Sequence, residues 1–292
     1  MARRIIIIGG GGQLGHDLCR VWPRVHPEDQ LIPLTHGDLD VTDASAVRKT
    51  LQSEPPWLVI NTAAFHKVDM IESTPGPAFE VNVIGARNVA LACEELDARC
   101  MFISTDYVFT DSAQGGPHLE TDPVRPANTY GVSKLAGEEV VRLACRRHYV
   151  VRSCGLYGTA GASGKGGNFV ETMLRLAASG KPIRVVDDQV MTPTPTFELA
   201  EQLALLADQE TYGLYHATSQ GACSWYDFAA EIFRRAGLEP DYSPQSSQES
   251  GSAARRPSYS VLENRALQTL GIDRLPPWEE GLRHYLTMRS AS

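Results

Sequence analysis

Apolar residues in the first half of the chain follow two alternating rhythms. Residues 5–8 are four consecutive isoleucines, a β-branched run expected of a strand covered on both faces. Shorter apolar runs at 31–34, 57–61, 100–104 and 149–152 read as further strands. Between them, residues 13–21, 44–53, 79–96 and 132–146 have helical spacing. Val81, Ile84, Val89 and Leu96 mark the longest of these, and Asp43 is placed to cap the second. Strand and helix in alternation predict right-handed crossovers and a parallel sheet, hence an α/β, Rossmann-type, doubly wound fold.

The rhythm changes after Arg152. Residues 158–167 are Gly-rich, 169–178 read as a helix, 183–186 as a short strand, 196–207 as a helix and 214–217 as a strand. Ser224 with Asp227 has the form of a helix-starting cap before a helix at 225–236. Residues 243–260, rich in Ser, Pro, Gln and Arg, read as a loop, with helices resuming at 262–270 and 279–288.

Composition narrows the classes. A chain of 292 residues allows one large α/β unit or two domains. Net charge is −8 and the Lys and Arg residues are scattered, so no basic stripe points to nucleic acid or to an acidic membrane. The six cysteines show no metal-binding spacing and read as reduced thiols of a cytosolic protein. No stretch approaches the ~20 apolar residues of a membrane span. The N-terminal apolar run stops at Gly9, short of a signal-peptide core of about 7–15 residues. Asp187-Asp188 reads as a turn rather than a metal pair, and no metal is expected.

Candidate chemistry sits at two places. Gly9, Gly12 and Gly15 follow the first strand and open the first helix with GxxGxxG spacing. Gly9 serves the turn, Gly12 lets the backbone approach a pyrophosphate, and Gly15 lets the helix pack close. The helix N-terminus offers free N–H groups to phosphate. The second strand ends Leu34-Thr35-His36-Gly37, with no acid to repel a 2′-phosphate and no Arg to demand one. NADPH is therefore favoured, with NADH expected to be tolerated. Asp38 and Leu39 are placed for the adenine pocket, and Ala63-Ala64 for close contact along the cofactor. This divides the chain into a dinucleotide-binding domain at 1–152 and a mainly substrate-binding α/β domain at 153–292. The boundary is discontinuous, because strands near 183–186 and 212–217 are expected to return to the first unit.

Tyr130 and Lys134 form the second place. Four apart on a helix, they share a face. A phenol has a pKa of about 10, and a nearby ammonium lowers it. Tyr130 then donates a proton to a carbonyl oxygen as hydride arrives. Ser104 and Thr105 end the fourth strand, where ligands sit in parallel sheets. Either hydroxyl could hold that carbonyl. His66 is as well explained by a solvated loop as by a ligand contact, and Trp225-Tyr226 by core packing.

These features together resemble the extended short-chain dehydrogenase/reductases, and more narrowly the dTDP-4-dehydrorhamnose reductase family. The matching stretches run from Gly12-Gln13-Leu14-Gly15 through residues 38–43, 61–69, Val81-Asn82, 104–109, 130–137 and 166–169 to Asp188-Gln189, Pro193-Thr194, 213–216 and 255–257. The resemblance implies hydride transfer from NADPH to C4 of a 4-keto-6-deoxysugar on a nucleoside diphosphate, with Tyr130 as proton donor, Lys134 its partner on the nicotinamide ribose and Thr105 at the keto oxygen. It places Gly12, Gln13, Leu14, Asp38, Leu39, Ala63, Ala64 and Phe65, with Tyr130 and Lys134, on the cofactor, Asp106 on the sugar, and Asn168 and Arg256 along the nucleotide diphosphate. Gly155 stands where several members carry a Trp against the sugar, so the sugar, or the side chain that fills that space, stays open. Some members hold Mg²⁺ at a dimer contact; no acidic cluster here matches, and a homodimer is left open. Two alternatives remain: an NAD-retaining epimerase or dehydratase of the same fold, although no Glu follows Asp106, and a non-catalytic NADP-binding regulatory subunit, against which Thr105, Tyr130 and Lys134 together argue.

Overall fold

The computed structural model describes residues 2–111, 116–160 and 167–290. Residues 161–166 of the Gly-rich stretch, Gly166 among them, lie outside the described residues. In chain order the first half contains β1 (Arg4–Ile8), α1 (Gln13–Val25), β2 (Gln30–Leu34), α2 (Ala44–Ser53), β3 (Leu58–Asn61), α3 (Val68–Ser73) and α4 (Gly76–Phe79). A π turn (Glu80–Gly85) leads into α5 (Ala86–Glu95), then β4 (Arg99–Thr105), a 3₁₀ turn (Asp106–Val108), α6 (Thr129–Ala144) and β5 (His148–Ser153). The second half adds β6 (Leu156–Tyr157), α7 (Phe169–Ala178), β7 (Ile183–Val186), β8 (Val190–Met191), β9 (Thr194–Pro195) and α8 (Thr196–Ala207). It ends with β10 (Gly213–His216), β11 (Cys223–Ser224), α9 (Trp225–Ala236), β12 (Tyr242–Gln245), α10 (Arg265–Thr269) and α11 (Trp278–Ser290).

Six strands form one sheet in the order β10-β5-β4-β3-β1-β2, every pair parallel. Chain order reverses beside β1, between β2 and β3, which opens a crevice at the carboxyl ends of the strands. The isoleucine run explains why both faces are covered. Ile5 and Ile7 enter the core formed with α1 and α8, whereas Ile6 and Ile8 enter the opposite core with Val89 and Val141. All four are at most 1% exposed, and each contributes about 1.5–3 kcal/mol by burial. A third core lies among α7, α9 and α11, with Val170, Phe228 and Leu282 at its centre.

Local signals hold where the side chain itself makes the bond. Asp43 caps α2 through Ser45 and Ala46 N–H, and Ser224 with Asp227 forms a reciprocal capping box on α9. Three expectations change. Residues 183–186 do not return to the main sheet but pair in parallel with β12, and only β10 returns. The stretch expected as a loop from 243 begins inside that β12 strand. The helix expected at 262–270 shortens to Arg265–Thr269, because the Val261 carbonyl and the Glu263 N–H are spent on backbone pairing with His118, which holds Leu262 extended. Among the described residues no helix is long and apolar enough to cross a membrane.

Candidate active site

A cleft of about 950 Å³ runs along the carboxyl end of the sheet. At its floor is the turn from β1 to α1. Gly9 has φ +84°, and a Cβ on Gly15 would drive into the Gly9 carbonyl oxygen and stand 2.8 Å from Gly10 Cα. The chain can therefore turn this tightly only with glycine at both places. Gly12 is the N-cap of α1 and supplies no side-chain acceptor, so the first-turn N–H groups stay uncapped by the protein. Such a cradle fits the pyrophosphate of a dinucleotide. Gly9, Gly12, Leu14, Leu39, Ala63, Ala64 and Phe65 all line the cleft. Gly15 lies beneath the turn and does not, and its part is the close packing just described.

Two cofactor-side candidates make bonds within the chain. Asp38 does not line the cleft: its carboxylate accepts from Thr35 N–H (2.8 Å) and Thr35 Oγ1 (2.7 Å), which holds it below the usual carboxylate range. Thr35, His36, Leu39 and Asp40 line that end instead. Gln13 lines the cleft, but its Oε1 accepts from Gly158 N–H at 3.0 Å and ties α1 to the second half.

The opposite wall comes from β4 and α6. Asn128 accepts from Gly131 N–H at 2.8 Å and so starts α6 in a register that turns Tyr130 and Lys134 toward β4. Thr105 ends β4, donates from Oγ1 to Asp106 Oδ1 at 2.9 Å and lines the cleft together with Tyr130. Lys134 Nζ donates to the Ile103 carbonyl at 2.7 Å and sits 4.1 Å from the Phe102 ring centroid. Thr105, Asp106, Tyr130 and Lys134 line one cleft with the glycine turn.

Their electrostatics differ from expectation. Burial pushes the Tyr130 phenol above its ordinary value, and Asp106 adds to the rise. The lysine does not pull it down. Burial instead lowers the Lys134 ammonium to about 7, against the opposing pull of Glu138. Burial also raises the Asp106 carboxyl, whose Oδ2 accepts from Cys154 Sγ at 3.0 Å. Tyr130 is thus fully protonated at neutral pH, the form an acid needs to donate.

One residue in the π turn fastens these walls together. Asn82, fully buried, donates from Nδ2 to the Phe65 carbonyl (3.1 Å) and to Ser133 Oγ (2.9 Å), and its Oδ1 accepts from Phe65 N–H at 2.9 Å. It links the strip at 63–65 to α6. The helical period at 79–96 did not show this, because a π turn leaves the apolar pattern almost unchanged; π turns nonetheless concentrate at functional sites.

With this geometry, comparison with known proteins is decisive. Residues 3–290 match the family model described as RmlD substrate binding domain. The chain is 38% identical over 286 residues to the dTDP-4-dehydrorhamnose reductase of Streptomyces griseus, covering 96% of this chain and 91% of that protein. This chain belongs to the dTDP-4-dehydrorhamnose reductase family. It is also 39% identical over 289 residues to the spore coat polysaccharide biosynthesis protein SpsK of Bacillus subtilis, with 99% of each covered. Its fold matches the dTDP-4-dehydrorhamnose reductase of Bacillus anthracis in complex with NADP at a TM-score of 0.92 and 38% identity, covering 99% of this chain and all of that one.

The residues read for the substrate side, and Trp225, take the following places. Asn168 lines the cleft, but its side chain is spent: Oδ1 caps α7 through Glu171 N–H at 3.0 Å, and Nδ2 donates to the Gly158 carbonyl at 2.8 Å. Arg256 lies outside the cleft, in a neighbouring cavity of about 310 Å³, with its guanidinium on Asp69 at 2.8 Å. Trp225, read as core, is only half-buried and lines the cleft beside Phe169, ring centroids 4.6 Å apart. Gly155 lines the cleft too, with φ +56° and with Pro193 Cα 3.1 Å from where a Cβ would stand, so this backbone cannot accept an aromatic without strain. Phe169 and Trp225 are the aromatic side chains that the second half brings to this cleft. A sequence signal existed for the second of them, since Trp225 directly follows the Ser224 cap, where a helix's first turn is commonly open to solvent.

Proposed function

We propose that this chain converts dTDP-4-dehydro-L-rhamnose to dTDP-L-rhamnose with NADPH as reductant. The observation that carries the reading is a single cleft, lined at one end by an uncapped helix N-terminus and at the other by Thr105, Tyr130 and Lys134. Reduced nicotinamide, when bound, supplies the hydride. As the C4 carbonyl carbon accepts it, the electron pair of the C=O bond moves to O4. Tyr130 transfers its phenolic proton to that oxygen, and Thr105 holds the oxygen in place. Ala63, Ala64 and Phe65 present a close backbone wall on the cofactor side, and Asp106 faces the sugar. The second half, which lends only β10 to the main sheet, is the sugar-nucleotide side of this reading. The six free cysteines support a reducing, cytosolic setting.

The test is turnover of enzymatically made dTDP-4-dehydro-L-rhamnose, followed by loss of reduced-nicotinamide absorbance. Oxidation of NADPH with another keto-sugar nucleotide but not with this one moves the substrate. No oxidation with any of them removes the reductase reading. Purified protein that carries NAD and ignores external NADPH would point to an epimerase or dehydratase instead.

Phe169 and Trp225 suit a planar or apolar part of the sugar nucleotide. Trp225→Ala is expected to raise KM for the sugar nucleotide roughly tenfold, the worth of one aromatic stack, with kcat little changed. Steady-state kinetics at saturating NADPH checks this, and an unaltered KM would return Trp225 to a packing role.

A further inference from the structure

Beneath Lys134 lies a buried charge that the reaction above does not use. Glu138 follows Lys134 by one helical turn on α6, so the two side chains share a face. They meet successive residues of β4: Lys134 Nζ bonds the Ile103 carbonyl, and Glu138 Oε1 accepts from Ser104 Oγ. Glu138 is 4% exposed and Arg152, on β5, is 3% exposed. Arg152 grips the carboxylate with two parallel bonds, Nε to Oε1 at 2.9 Å and Nη2 to Oε2 at 2.7 Å.

A third group fixes the arginine. His216, on β10 and fully buried, faces two carbonyl oxygens with Nδ1, those of His118 at 3.1 Å and Glu263 at 3.2 Å. Nδ1 must therefore carry the proton, which leaves Nε2 as an acceptor facing Arg152 Nη1 at 3.5 Å. Burial, with Arg152 beside it, pushes His216 down to about 3, so it stays neutral through the working range.

A buried ion pair of this kind adds little stability over apolar packing of the same shape. What it does provide is one negative charge at a fixed point next to a lysine that burial would otherwise discharge. The other ionisable groups around Lys134 are Tyr130 on its own helix, Asp106 beyond β4 and Arg152 on β5; the acid whose field sustains its charge is Glu138.

We propose that Glu138 is a positioning residue for Lys134: held by Arg152, Ser104 and, at one remove, His216, its carboxylate stands one helical turn from the Lys134 side chain and favours the charged form of that ammonium. The importance of that charge for turnover rests on the ketoreductase reading, but the charge itself is measurable without substrate.

The chain has five lysines, so ¹³Cε-lysine NMR gives a spectrum in which Lys134 is assigned by its loss in Lys134→Arg. In the NADPH-free wild type the Lys134 signal is expected to titrate near neutrality. Glu138→Gln is expected to move that midpoint down by about one unit or more, since an opposite charge at close range is worth that much. Glu138→Asp, which keeps the charge, is expected to leave it near the wild-type position. Should Glu138→Gln fail to fold because Arg152 is left unpaired, the double variant Glu138→Gln/Arg152→Gln buries no charge and is expected to show the lowered midpoint as well. An unchanged Lys134 midpoint in either folded variant overturns the proposal, because a merely structural role would lower stability without moving this titration. If turnover is present, the alkaline limb of kcat against pH is expected to shift with the NMR midpoint, and a limb that stays fixed while the midpoint moves also overturns it. A shifted midpoint with no turnover on any keto-sugar nucleotide would sink the reductase reading and leave this one standing.

Discussion

Tyr130→Phe is expected to cut kcat by a factor of about 10²–10⁴, the usual worth of a positioned general acid. The substitution removes one oxygen from the cleft lining and leaves the ring, which meets Tyr107 edge-on with centroids 5.7 Å apart. The fold and the cofactor cradle stay intact, because neither the glycine turn nor the Asn82 contacts involve that hydroxyl. NADPH affinity, measured by the quenching of protein fluorescence, is therefore expected to change far less than turnover. Comparable losses in both would mean that the phenol holds the cofactor rather than the reacting carbonyl. A turnover within about tenfold of wild type would mean that another group supplies the proton. Wild-type cellular function after this swap would favour a binding role for the protein over an enzymatic one.

Gly15→Ala is expected to act at the other end of the cleft. The new methyl would be forced into the Gly9 carbonyl, with Gly9 C at 2.9 Å and Gly10 Cα at 2.8 Å, all of it backbone that no rotamer change can clear. Either α1 lifts from β1 or the turn opens. Overpacking of this kind costs about 1–3 kcal/mol, so the melting temperature falls. The larger effect is on NADPH. Misaligning one or two N–H groups that face a phosphate costs about 1.5–3 kcal/mol each, which weakens binding by roughly one to several orders of magnitude. Calorimetric titration of NADPH beside a thermal melt separates the two losses. Unaltered affinity would mean that the phosphates bind somewhere other than at this turn.

The parts of this molecule that could be read from sequence are those in which a local pattern and its tertiary use coincide. Ile5 to Ile8 are apolar on both faces because both faces are covered, so the run announced a central parallel strand. The glycine spacing at 9, 12 and 15 and the Tyr130–Lys134 pair were legible for the same reason, since strand, turn and helix fix where they point. The intramolecular partners of the other candidates could not be read, because a polar side chain there had several partners within reach. Asp38 closes onto Thr35 N–H and hydroxyl three residues away, a local bond that competes with any other partner. Asn168 is drawn into capping α7, and Arg256 into a pair with Asp69, a residue 187 positions away. β12, with the sequence Tyr-Ser-Pro-Gln, has no strand pattern of its own and is extended because β7 offers it a partner. The Lys134 surroundings were illegible in a different way. The spacing announced a lysine beside a tyrosine, but the charge that lysine carries depends on Glu138, Arg152 and the depth of burial, which only the packed structure supplies.

The amide of Asn82 bridges the strip at 63–65 and the helix bearing Tyr130, whereas Phe169, Trp225 and Gly155 stand beyond that bridge, on segments that follow β5. On the proposed reading, the groups that transfer the hydride are bolted into one block, and the aromatic part of the sugar side is mounted apart from it. A lineage could retool its sugar preference by exchanging residues after position 153 while the redox half of the molecule kept running unchanged.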